Sequence, residues 1–491
     1  MAPICRLVLC CILLPALASC SLFGEGEDDV DVAFIGTAAE LRQTGVRLSP
    51  AAQHVREATA EGLVTLDASG QVVPAVAERW IVTDDGLSYI FRLRDSDWPD
   101  GSDLSAETVK RELDRAIGRL EGTSLGLDLR IIAEVRAMAG RVIEIRLEHP
   151  MSQFLALLAQ PELGLTQSNR GVGPMAARYD GGEVALSALP PDRRGQPMIE
   201  DWKETVRPVK VRTYPVEAAI EAFKAGEADA VFNGRIQNLP LADLGPLSRG
   251  SIRVDGVTGL LGLKVVRARG VLQSEFEREA VAMAIDRGKL FEALNLGQWQ
   301  QSTRIVPMLG AAGEMPPEER WSALTVEERQ AEAARRISNW VSGSGVDPRI
   351  AIALPSGPGS DRVFRALAED FSKIGVTLVR VDDRAKADLE LLDSVARYAD
   401  RRWFLNQFNC LVFGALCSRD ADLAVIAALR EPDAAEREKL LADAETILLA
   451  KNVYIPLGAP VRWSLVRGGV DGFEANATGF HPLFPLAERP N

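Results

Sequence analysis

A chain of 491 residues exceeds what one ordinary core supports, so it should divide into two or three domains. With 47% hydrophobic and 25% charged residues it reads as globular, which excludes both wholesale disorder and a polytopic membrane protein. A formal charge of −13 and a pI near 5.1 disfavour nucleic acid as a partner, because phosphate binding needs a surplus of Lys and Arg on one face.

The chain opens with Arg6 and an apolar run from Leu7 to Leu14. That run is about half the length of a helix able to cross a bilayer, so it reads as a secretory signal and not as an anchor. It ends in Leu17-Ala18-Ser19-Cys20, small residues just before a cysteine, a pattern that resembles the lipobox of bacterial lipoproteins. The resemblance implies that residues 1–19 are removed and that Cys20 is lipidated as the first residue of the mature protein. An ordinary signal peptide beside a chance cysteine is the plainer alternative. Several acyl chains together hold a protein stably on a membrane. Cleavage removes one cation, Arg6, and no acid, taking the charge from −13 to −14. Residues 20–29 then read as a flexible acidic tether, with Gly24 and Gly26 free in backbone angle and Glu25, Glu27, Asp28 and Asp29 in mutual repulsion.

Of the six cysteines, three leave with the signal and one takes lipid, so Cys410 and Cys417 remain. A bridge between them needs Cα atoms about 4.4 to 6.8 Å apart, whereas seven extended residues span roughly 23 Å. The chain would have to reverse near Gly414; the sequence leaves the pair bridged or free.

The first strand is expected in "VDVAFIG", followed by short strands with Asp-Gly turns. A helix follows, which Ser105 caps and whose buried face carries Val109, Leu113, Ala116, Ile117 and Leu120. "RVIEIRLEHP" alternates as a strand with one wet face. The grammar then changes. "KVRTYPVEAAIEAFKAGEADAVF" reads as strand, helix and strand, with Pro215 at the helix start and Gly226 ending it. The same unit returns in "RIAIALPSGPGSDRVFRALAEDFSKIGVTLVRV", where Ser360 is expected to cap a helix that Gly375 stops. A late helix starts at Asp433 with Glu436 three residues on. Two separated α/β units imply two α/β lobes.

Catalytic patterns are mostly missing. His54, His149 and His481 are far apart without metal-ligand spacing, and there is no HExxH, phosphate loop, dinucleotide fingerprint or GxSxG elbow. No cofactor and no metal site is expected. With 69 acidic residues, a glycosidase-like carboxylate pair is a match that chance alone supplies.

Six segments in order carry a resemblance: "ATAEGLVTLDASGQVVPAVAERW", "DDGLSYIFRLRDSDWPDGSDLSAETV", "GVGP", "AAIEAFKAGEADAVF", "REAVAMAIDRGKL" and "AETILLAKNVYIPLGAP". The chain resembles ABC-transporter substrate-binding lipoproteins of extracellular solute-binding family 5, the oligopeptide/dipeptide-binding class, over nearly all of residues 30–484. The resemblance implies a type II periplasmic binding fold: two α/β lobes joined by a hinge, plus an extra small sheet-rich domain. Its expected division is lobe I at 30–63, the small domain at 64–168, lobe I again at 169–262, lobe II at 263–462, and a return to lobe I at 463–491. It also implies capture of a small solute between the lobes, a peptide or another polar compound, and its delivery to ABC permease subunits by a monomer facing the periplasm, without catalysis. From other classes, an envelope interaction or chaperone-like lipoprotein and a carboxylate-using hydrolase remain as alternatives.

Ligand contacts follow the resemblance residue by residue. Peptide binders of the family carry Gly-Trp-x-x-Asp in a loop whose aspartate holds the peptide amine. In "FNCLVFGALCSRDADL" Gly414 matches, Ala415 replaces the tryptophan, Ser418 stands at the aspartate position, and Asp420 lies two residues on. Arg419 and Asp420 are therefore candidate charge partners for a ligand, or else a solvated loop pair. Trp403 is a candidate aromatic wall, with a core role as the alternative. Ser49 falls where the family brings an early loop to the cleft, and Gly173 belongs to the "GVGP" match near the hinge, where backbone geometry is its expected role.

Overall fold

The computed structural model describes residues 29–168, 170–243, 251–297, 299–307 and 319–489. Cys20 and the expected signal peptide lie outside them. Of the expected tether only Asp29 is described, and it is held to the body: its carboxylate pairs with Lys210 at 2.6 Å.

Three sheets organise the molecule. The first has seven strands in the order Met175–Asp180, Glu183–Ala188, Val209–Tyr214, Val30–Ile35, Ala230–Arg235, Arg462–Val466 and Ile252–Asp255. Val30–Ile35 lies in its middle, parallel to both neighbours, and the helix Val216–Ala225 carries the chain over it from one neighbour to the other. That helix buries Ala219, Ile220 and Phe223 and ends at Gly226, whose φ of +87° is the left-handed stop glycine accepts readily.

The second sheet orders Thr377–Arg380, Arg349–Ala353, Leu389–Val395, Gly259–Val265 and Tyr454–Gly458. Arg349–Ala353 runs parallel to both of its neighbours, and the helix Pro358–Lys373 joins it to Thr377–Arg380. Ser360 does not cap this helix: the helix starts at Pro358, after Gly357, and Ser360 is buried in its first turn. The glycines have another use. A side chain on Gly359 would meet the Ile236 carbonyl of the first lobe at 2.0 Å, and one on Gly357 the Gln237 carbonyl at 2.3 Å, so their bare backbone lets the lobes touch.

The third, antiparallel sheet orders Ala77–Val82, Ser88–Leu93, Val142–Leu147 and Ile132–Met138. Against it packs the helix Ala106–Arg119, whose start is a capping box between Ser105 and Thr108. Its core includes Phe91, Trp98, Leu113 and Ile145, and runs on without a break into Phe404, Phe408, Leu441 and Leu448. The helices after residue 400 thus share their apolar interior with the small domain. A buried polar link reinforces the join: Asp128 receives Tyr398 Oη at 2.9 Å and Asn406 Nδ2 at 2.6 Å.

Among the described residues the chain passes between the two large sheets twice, through residues 256–258 and 459–461. The strand Gly259–Val265 already belongs to the second sheet and Arg462 to the first, so both crossings fall short of the expected boundaries at 262 and 462.

Candidate functional site

A cavity of about 570 Å³ opens where both large lobes and the small domain meet. Its volume suits a small ligand. Parts of its wall come from the carboxyl ends of strands, which is where open α/β sheets place ligands.

On the first lobe, Ala230–Arg235 loses register between Val231 and Gly234. Asn233 takes a φ of +69° at this bulge, a strained value for a residue with a side chain. The strain is held by a bond from its Nδ2 to the Ile35 carbonyl at 2.7 Å, while its Oδ1 accepts from Arg235 Nε at 3.2 Å. A side chain on Gly234 would come within 2.1 Å of the Trp463 ring, so glycine is needed here for Trp463 to back the bulge. Burial first, and then Arg462, pulls the Arg235 guanidinium down to about 10, with Asp393 opposing.

The helix Pro50–Thr59 brings His54 to the same wall. Its ring stacks on Phe480 at 4.1 Å, Nδ1 lies 2.6 Å from the Pro50 carbonyl, and burial drives its pKa down to about 3, so it is neutral. His481 follows Phe480: its amide donates to His54 Nε2 at 3.4 Å and its own Nε2 lies 3.1 Å from Asp255. Two histidines 427 positions apart therefore meet at the cleft. Among the described residues no group of three or more His, Cys, Asp or Glu is placed to hold an ion.

The second lobe contributes Asp393 from Leu389–Val395 and Arg397 just beyond it. Asp393 Oδ1 accepts from Arg462 at 2.7 Å, an ion pair about nine-tenths buried that joins the two sheets beside a crossing. Arg397 reaches the first lobe, donating to Gln53 Oε1 at 2.7 Å and lying 4.7 Å over the Phe480 ring. Burial, and behind it Arg462, lowers its pKa, with Glu162 pulling the other way.

Of the ligand contacts expected from the sequence, one lines the cavity: Trp403, buried, with Phe404 edge-on to it at 4.9 Å. Ser49 instead caps the helix Pro50–Thr59, accepting from Ala52 N and donating to the Glu40 carbonyl at 2.7 Å. Gly173 packs on the end of that helix, where a side chain would lie 2.4 Å from the Thr59 carbonyl carbon. Cys410 and Cys417 are joined in a disulfide with Cα atoms 5.3 Å apart, and Gly414 between them turns the chain at φ +64°. The stretch before that turn faces the cleft through Gln407, Val412 and Phe413. The stretch after it does not: Ser418 is buried as the cap of Arg419–Arg430, Arg419 is exposed, and Asp420 pairs with Lys451 at 2.9 Å on the surface. Arg235, Asp393 and Arg397 escaped the sequence reading; the signal that could have found them is their place at or just past the ends of apolar strands.

These lobes, their two crossings and the cleft between them give the chain the two-lobed architecture of periplasmic binding proteins. Residues 71–184 match the model described as bacterial extracellular solute-binding proteins, family 5 middle. Over 482 aligned residues the chain is 23% identical to the glutathione-binding protein GsiB of Salmonella typhimurium, covering 87% of each. A shorter stretch of 129 residues is 36% identical to the probable deoxycholate-binding periplasmic protein YgiS of Escherichia coli, covering 21% of this chain and 23% of that one. In fold the chain is similar to Haemophilus influenzae OppA in complex with the peptide RPPGFSPFR, with a TM-score of 0.75, 17% identity, and 94% of this chain and 99% of that one covered. The family match, the relatives and the solved structure thus agree that the chain is similar to the family 5 solute-binding proteins.

Proposed function

We propose that this protein captures a small polar solute in the interlobe cleft and delivers it to an ABC permease, performing no chemistry itself. The observation that carries this reading is the cleft: about 570 Å³ walled by both lobes and the small domain, with two chain crossings between the large sheets among the described residues. Such a joint allows the lobes to close on a ligand, and a closed form is a state that a transporter can tell from the empty one. The names of GsiB and YgiS add that relatives of this chain serve small solutes. The cavity's volume favours a small solute over a long peptide.

We place the protein on the periplasmic face of a membrane, anchored through a lipid on Cys20. No described helix is long and apolar enough to cross a bilayer. Thermal unfolding of the full chain against short peptides, amino-acid conjugates, sugars and bile acids tests capture. A ligand at 100 times its Kd adds about 2.7 kcal/mol and raises the Tm, and absence of any shift at millimolar concentrations refutes it. Fractionation of expressing cells tests the anchor: Cys20→Ala should move the protein from the membrane to the periplasmic extract, and an unchanged distribution removes the lipid.

A further inference from the structure

The cleft is positive in a negative protein. It is lined by five cationic side chains, Arg47, Arg235, Lys264, Arg397 and Arg462. Three acidic ones face them, Glu162, Asp255 and Asp393, against a formal charge of −13 for the whole chain. A walled cavity of one sign concentrates ligands of the other.

Among the described residues local pairing leaves three cations unanswered, Arg47, which is exposed, and the more buried Arg235 and Arg397. Lys264 is answered by Glu390 at 2.9 Å, and Arg462 by Asp393. Arg235 and Arg397 bond instead to the neutral Asn233 and Gln53, and neither has a carboxylate within 4 Å among the described residues. Both are pulled below the ordinary arginine range by burial, so water solvates them incompletely, yet both stay charged at neutral pH. A guanidinium in that position gains from an anion that restores its charge-assisted bonds.

One acceptor is also left open. Asp393 is nine-tenths buried, and while Oδ1 holds Arg462, its Oδ2 has no hydrogen-bond partner. The other acids are engaged: Asp255 accepts from the Asn476 amide at 3.0 Å and faces His481, and Glu162 accepts from Gln53 at 2.7 Å.

Given that the cleft holds a solute, we propose that the solute is a small carboxylate-bearing anion with an N–H donor, its carboxylates taken by Arg235 and Arg397 and its N–H by Asp393 Oδ2. Amino-acid conjugates and short acidic peptides have this chemistry. Because Arg235 stands on the first lobe and Arg397 on the second, such an anion bonds both lobes only when they are together, and so favours closure.

Isothermal titration of the full chain tests the charge rule with reduced glutathione, glutathione diethyl ester, Glu-Glu, succinate and trialanine amide. Carboxylate-bearing probes should bind, and the ester at least about tenfold more weakly than glutathione. Arg235→Gln and Arg397→Gln should each cost at least about tenfold for the anions, while Arg235→Lys and Arg397→Lys keep part of the binding. Apo unfolding midpoints show whether each variant folds, and the Lys variants carry the test if a Gln variant does not. The proposal is overturned, with solute capture intact, if trialanine amide or the ester binds as tightly as the anions, or if the Gln variants bind anions unchanged. If no probe of any charge binds, solute capture falls and the anion rule with it.

Discussion

Two acid–base pairs carry the same charges and sit in opposite situations. Asp420 and Lys451 meet at 2.9 Å on the surface, their side chains 69% and 38% exposed. Asp393 and Arg462 meet at 2.7 Å with 9% and 10% exposure, 69 positions apart, one from each large sheet. The first belongs to a motif that can be read in the sequence, and water screens it. The second answers to no motif, yet it joins the lobes beside a crossing on the wall of the cleft. Proximity of charge alone does not make a site; desolvation decides what a charge pair does.

The sharpest way to break this contrast is to cut the buried pair. Asp393→Ala leaves Arg462 desolvated beside Arg235 and Arg397, and the expected loss is about 3–5 kcal/mol of unfolding free energy, read from urea denaturation. The double variant Asp393→Leu/Arg462→Met should lose less than either single change, because no stranded charge remains. A loss under about 1 kcal/mol for Asp393→Ala would put the pair in the same class as the exposed one.

Next in size is the loop that separates the two regions. Cys410 and Cys417 close a short loop whose first half lines the cleft and whose second half begins the helix bearing Asp420. Cys410→Ser/Cys417→Ser should cost about 2–3 kcal/mol through the freed unfolded chain. If the loop also positions Phe413, ligand affinity drops with stability; if it only begins the helix, affinity is unchanged.

Burial also sets a pH dependence that surface acids do not share. Glu57, on the helix that delivers His54, is pushed up to about 8 by burial, with Glu61 adding and Thr65 opposing. From about pH 4.5 to 8 the folded state keeps a proton that the unfolded state releases, so this contribution is whole below 4.5 and is lost as pH rises through 8. Glu57→Gln should flatten the fall in Tm across that window. His54, held to about 3, acts with the opposite sign: its contribution is whole above pH 6.5 and is lost as pH falls toward 3. A wild-type Tm that does not decline between pH 5 and 8 once ligand is absent, or a Glu57→Gln profile parallel to it, contradicts the assignment.

What was legible follows from the range of each interaction. Short-range signals were readable: alternation in Val142–Leu147, the caps at Ser105 and Asp433, the stop at Gly226, and the two strand–helix–strand units. Ordered segments then pointed to a family and so to two lobes and a small domain. The cleft was not readable from local pattern, because its contacts are the longest in the chain. Gln53 and Arg397 are 344 positions apart and His54 and His481 are 427, and nothing local distinguishes Arg235 from the other cations. The same holds for the helices after residue 400. Their spacing marked an apolar face, but only the assembled structure shows that face buried against the small domain.

The smallest expected effect is the most discriminating for the site. By resemblance, Asp420 was the candidate anchor for a peptide amine, whereas its position gives it one exposed partner and no place on the cavity wall. Asp420→Ala should change stability by less than about 1 kcal/mol, and less still in 0.5 M salt, since screening weakens an exposed pair. Ligand affinity should stay within about twofold of wild type, where Arg235→Gln loses at least about tenfold. Should Asp420→Ala abolish binding instead, the loop after Gly414 must swing into the cleft in the loaded state, and the amine anchor would lie there and not at Asp393.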